Sequence, residues 1–90
     1  MELIKKMENK ILIELIVPVL EEKYDVFIPL TKKVGNVLNL VVKTVAELTD
    51  SKEAQRTQLN FYSGETGEKL DKNILIMNAN LKNGSRLILM

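Results

Sequence analysis

A chain with no histidine and no cysteine lacks the commonest general base, the commonest metal ligand and every thiolate reaction. Disulfides and thiolate metal sites go with them. Carboxylates, lysines and hydroxyls remain, and their spacing decides what they could do. Glu21, Glu22 and Asp25 cluster in "EEKYD", the kind of carboxylate group that can hold a hard divalent cation. They sit in a turn between two apolar runs, where acids are usually solvated. "SGETGEK" sets glycines beside a threonine and a lysine, but without P-loop spacing and between strands instead of ahead of a helix. Lys32 and Lys33 lie at the start of a helical pattern, where positive charge gains nothing from the helix dipole, and read as solubility charges. A catalytic site would need a carboxylate pair or an activated Ser, Thr or Lys, and no such constellation stands out. We therefore expect no catalytic residue, no cofactor and no metal.

The elements that would position these side chains must fit into 90 residues, room for one domain. Net charge is +1 and the charges are interleaved, so no basic stripe points to nucleic acid. "MELIKKMENKILIELIVPVL" resembles a secretory leader in outline. Glu14 interrupts its apolar run, Pro18 follows, and "EEKYD" offers no small-residue cleavage site. The run also falls short of the roughly 20 apolar residues that span a bilayer. A cytoplasmic protein without membrane insertion is expected. Residues 1–10 read as a flexible extension and residues 11–90 as the domain.

Residues 11–19 are β-branched and apolar, and read as a central strand. Glu14 should face water, which places Ile11, Ile13, Leu15 and Val17 in the core and Leu12, Glu14 and Ile16 on the open face. After "LEEK", residues 24–30 form a second strand with Val26, Ile28 and Leu30 inward. Asp25, Phe27 and Pro29 point outward, and Pro29 puts this strand at the sheet edge. The period then changes. Val34, Val37, Leu38, Val41, Val45 and Leu48 recur at helical spacing, with Thr31 as the expected cap. "TDSKEAQRT" is a polar loop. "QLNFY" is a third strand with Leu59 and Phe61 inward, and "SGETGE" turns it back with Gly64 and Gly67 suited to positive φ. "KLD" is a short return strand, and "KNILIMNANL" a crossover containing a 3-10 or single-turn element. "NG" then leads into a closing strand over residues 85–90.

Strand, strand, helix, strand, short strand, crossover and strand make an α+β domain. This is the β-grasp order, with a mixed sheet of four to five strands and one helix packed across it. From Ile11 to Met90 the chain resembles a ubiquitin-like fold. "KVGNVLNLV" matches the opening of that family's helix in pattern, and "KLDKNILIMNANLKNGSRLIL" resembles the family's segment from the short strand to the last one, without gaps. More narrowly, "VPVLEEKYDVFIP", "VGNVL" and "NGSRLIL" together resemble the YukD/EsaB group, small ubiquitin-like proteins associated with bacterial type VII (WxG-substrate) secretion. The resemblance implies a non-catalytic cytoplasmic accessory or regulator that binds a cytoplasmic domain of the secretion machinery. The alternatives are a stand-alone ubiquitin-like interaction module in another pathway, and a sulfur carrier or protein modifier. Carriers and modifiers end in a mobile Gly-Gly tail, and this sequence ends at "LILM". Contact with other proteins is the activity expected of it.

With the first and last strands as central neighbours, Leu12 and Ile16 should lie near Ile88 and Met90, flanked by Phe27 and Tyr62. These six residues are the candidate protein-binding face, because an exposed apolar cluster often marks an interface. Glu14 and Arg86 should pair across it. Leu40 projects away from the main helical stripe and could support weak homodimerisation.

Overall fold

The computed structural model describes residues 9–49 and 58–90. The expected extension, apart from Asn9 and Lys10, and the polar loop, apart from its first residue, lie outside the described residues. Alternation sets the first strand. In β1, Lys10–Val17, residues Ile11, Ile13, Leu15 and Val17 enter the core, while Leu12, Glu14 and Ile16 do not. The strand stops short of the expected residue 19. Pro18 has no N–H for a ladder, and Pro18–Leu20 form a 3-10 turn instead. Glu21, at φ 54°, takes the left-handed conformation that completes the reversal. β2, Glu22–Pro29, then pairs antiparallel with β1 from Val17↔Glu22 to Lys10↔Pro29.

The helix α1, Val34–Thr49, buries Val34, Val37, Leu38 and Val45, with Val41 half-buried beside them. Two expectations fail here. Leu48 is 69% exposed, and Ala46 is buried in its place. A straight helix lying on a twisted sheet does not keep one contact line along its length. At 100° per residue the buried positions shift from the Val34–Val37 side to the Val45–Ala46 side, leaving Leu48 about 110° away. Thr31 does not cap the helix, which starts three residues later. The first N–H groups find backbone acceptors: Val34 donates to the Ile74 carbonyl at 2.8 Å and Gly35 to that of Lys72 at 3.0 Å. With those donors satisfied, no capping side chain is required.

The same crossover segment is tied back twice more. Ile76 N–H donates to the Lys32 carbonyl and Met77 N–H to that of Leu30. Ile76, at the start of the expected 3-10 turn Ile76–Asn78, is fully buried. β3 is Phe61–Ser63, shorter than expected, with Leu59 and Phe61 inward. The "KLD" strand reduces to a single bridge, Tyr62↔Lys69. β4, Arg86–Leu89, runs parallel to β1 and antiparallel to β3, giving a four-stranded mixed sheet in the order β2-β1-β4-β3. Leu87 and Leu89 are fully buried.

Two glycines are needed where the last strand docks. Gly84, at φ 87°, follows Asn83 in the turn, and its N–H donates to the Leu12 carbonyl at 2.8 Å. Gly64 does not take the positive φ expected of it; its role is close approach. A Cβ there would stand 2.5 Å from the Cβ of Arg86, and the Gly64 N–H donates to the Arg86 carbonyl.

Leu87→Ala, in a central strand, should lower the unfolding free energy in a urea titration by about 2–5 kcal/mol. Leu48→Ala, of the same chemistry on an exposed turn, should change it by less than about 0.5 kcal/mol. Gly64→Ala should cost about 1–3 kcal/mol, because a backbone-anchored Cβ on β4 has little room to yield.

Candidate protein-binding face

The open face of the sheet is a grid set by three registers. β1 and β2 place Leu12 beside Phe27, Glu14 beside Asp25 and Ile16 beside Lys23. β1 and β4 place Glu14 beside Arg86 and Ile16 beside Ile88, and β3 brings Tyr62 beside Ile88. Three side chains thus run across the sheet in one row: Ile16, Ile88 and Tyr62, all half-buried. Met90 continues the face beyond β4. Its N–H donates to the Asn60 carbonyl, its carbonyl accepts from the Asn60 N–H, and its side chain is 52% exposed.

Leu12 and Phe27 form a separate apolar pair, 36% and 58% exposed. The expected position of Leu12 beside Ile88 and Met90 is not found. In the observed register Leu12 accepts from Gly84 and donates its N–H to the Asn83 Oδ1 at 2.8 Å. Between the two apolar groups lies a charged row, Asp25, Glu14 and Arg86. Arg86 Nε lies 3.3 Å from Glu14 Oε1, with both side chains well exposed. Such a pair contributes about 0–1 kcal/mol and chiefly favours one register. Two lysines bound the larger apolar row: Lys23 beside Ile16 on β2, and Lys69 bridged to Tyr62. The sequence reading missed both lysines, because their positions follow from cross-strand register and not from spacing along the chain.

Other surface features carry less. Leu40 is 62% exposed on the helix, as expected. A shallow groove of about 480 Å³ between the 63–67 turn and the 78–85 segment is lined by acids, lysines and hydroxyls together, including Glu65, Lys69, Lys82 and Ser63. Among the described residues no three metal-ligating side chains converge, and no helix is long and apolar enough to cross a membrane.

No protein-family model and no curated protein matches the chain. Solved structures do. The chain is similar to the EccD5 ubiquitin-like domain from Mycobacterium xenopi, at TM-score 0.70 and 11% identity, covering 90% of this chain and 92% of that one. It is similar to the ubiquitin-like domain of the type VII secretion protein EccD1 of Mycobacterium tuberculosis, at TM-score 0.69 and 13% identity, covering 90% and 97%. It is also similar to a chain of phenol hydroxylase from Pseudomonas sp. OX1, at TM-score 0.74 and 4% identity, covering 96% and 76%. At such identities the likeness concerns fold, and the fold is the ubiquitin-like β-grasp.

Proposed function

We propose that this chain is a non-catalytic, ubiquitin-like binding module that serves a bacterial type VII secretion apparatus, in the manner of the YukD/EsaB group. Its partner is a protein, a cytoplasmic domain of the secretion machinery. The observation that carries this reading is the row Ile16, Ile88 and Tyr62, continued by Met90, on a sheet face that no described element covers. Likeness to two EccD ubiquitin-like domains supports the choice of pathway. The lysines at the ends of the row give the partner its chemistry. It presents an apolar segment whose flanks carry acids, because rim charges steer encounter and orientation while the apolar centre supplies affinity.

The Leu12–Phe27 pair lies beyond the charged row and acts as a secondary contact. Binding is tested by titrating purified cytoplasmic domains of the secretion machinery against the wild-type chain and two variants. Ile88→Asp should weaken binding at least about 100-fold, as expected for an interface centre. Leu12→Asp should weaken it less than about tenfold. Equal binding by wild type and Ile88→Asp would remove the proposed face. Unchanged export of WxG substrates after deletion of the gene would remove the pathway.

A further inference from the structure

β2 is an edge strand, and the direction of its backbone groups can be read from its neighbours. Leu12 and Glu14 direct their hydrogen bonds to the β4 side, through Asn83, Gly84 and Ser85. Residues 11, 13, 15 and 17 therefore pair with β2 and engage residues 28, 26, 24 and 22. The N–H and C=O groups of Lys23, Asp25 and Phe27 then point away from the sheet, as does the carbonyl of Pro29. Among the described residues nothing pairs with them. An exposed edge of this kind is a template for a further strand. Its side chains are charged in a pattern that selects the strand it accepts.

We propose that β2 is a self-pairing edge: two copies join β2 to β2 antiparallel, in the register that sets Lys23 of each copy opposite Asp25 of the other. Lys23 and Asp25 both direct their backbone outward, so each such pair exchanges two backbone hydrogen bonds, and the two-fold axis repeats the set. Neighbouring registers are disfavoured. A shift one way puts Asp25 opposite its own copy, and a shift the other way puts Lys23 opposite its own copy; like charges directly across a ladder repel. A larger slide brings Pro29 opposite Lys23, where the donor is missing. The favoured register also relieves a conflict within the chain. Asp25 stands directly across from Glu14, whose cation Arg86 lies on the far side. Among the described residues no cation lies within ion-pairing reach of Asp25. Lys23 of the second copy supplies one. Each copy spends its single β2 edge, so association closes at two. This inference shares Lys23 with the sheet-face reading but does not rest on it: its ladder bonds come from the outward backbone of β2, and Ile88 and Tyr62 lie on the other side of β1.

Sedimentation velocity over a concentration series should show a reversible monomer–dimer equilibrium that weakens with added salt. Lys23→Asp and Asp25→Lys each turn both cross-pairs into like-charge pairs, and each should weaken dimerisation about tenfold or more. The double reversal should restore it. Amide exchange on the wild-type chain needs no variant: the Lys23 and Asp25 amides should exchange more slowly in concentrated than in dilute samples. A chain that stays monomeric to about 1 mM would overturn the proposal. So would single reversals without effect, a double reversal that fails to restore pairing, or concentration-dependent protection confined to β3, β4 or the helix.

Discussion

The parallel contact between β1 and β4 is the constraint on which the rest of the structure depends. It joins segments 71 residues apart, as the Leu12–Asn83 hydrogen bond shows, so most of the chain must be in place before it forms. Its regular ladder is short, Glu14↔Arg86 to Ile16↔Ile88. Length is recovered by irregular means. Asn83 lends a side-chain carbonyl where β4 has not yet begun, Gly84 donates to Leu12, and Glu14 donates to the Ser85 carbonyl. Ser85 is buried in this join, and its Oγ accepts from the Lys82 N–H. Leu87 and Leu89 then close the core beneath the helix. The β4 and β3 positions on the open face follow from this one pairing, because β4 carries β3 with it, and β2 joins through its own register with β1.

The parts of the fold legible in the sequence are those where one period dominates. Alternation in "ILIELIV", interrupted by a single glutamate, places all seven residues on the correct sides of β1. Pro29 marks an edge strand because it cannot donate, and in the structure its missing N–H lies on the outward side. The helix was legible in its first three turns, where valines recur at the spacing of a buried stripe. It became illegible in its last turn, because the contact line is set by sheet twist, a property of neighbouring strands. Thr31 misled for a related reason. Capping rules assume that a helix start must satisfy its own donors, and here Ile74 and Lys72 supply acceptors to Val34 and Gly35 from far downstream in the chain. Gly64 was legible as a necessary glycine but not for its reason: a turn glycine with positive φ and one that admits a neighbouring backbone look alike in one sequence.

The candidate face was legible by residue but not by arrangement. Alternation assigns Leu12, Ile16, Phe27, Tyr62, Ile88 and Met90 to one side of the sheet. Whether they touch depends on cross-strand register, which spacing along the chain does not encode. The observed register inserts Asp25, Glu14 and Arg86 between two apolar groups. That row matters energetically in two ways. It divides what would be a single sticky patch, which lowers the tendency to bind without selectivity. It also gives the face a direction, since any partner bound there would have to match apolar contact on one side of a charged strip and a smaller apolar contact on the other.

The open face and the β2 edge would act along different axes of the same sheet. Pairing at β2 would extend the sheet sideways and keep both open faces on one side, because an antiparallel strand added in plane preserves the alternation of side chains. The helices would lie together on the opposite side, out of the way. A dimer of this form presents two copies of the Ile16–Ile88–Tyr62 row to a common direction, with each row starting close to the two-fold axis and the Leu12–Phe27 pairs farther along the strands. A partner that is itself repeated, as subunits of a membrane assembly are, would then meet two sites at once. The second contact would form at the effective concentration set by a rigid sheet, without any linker to order. Weak edge pairing and modest face affinity would reinforce one another: each bound partner holds the two copies together, and each paired edge aligns the next face for binding.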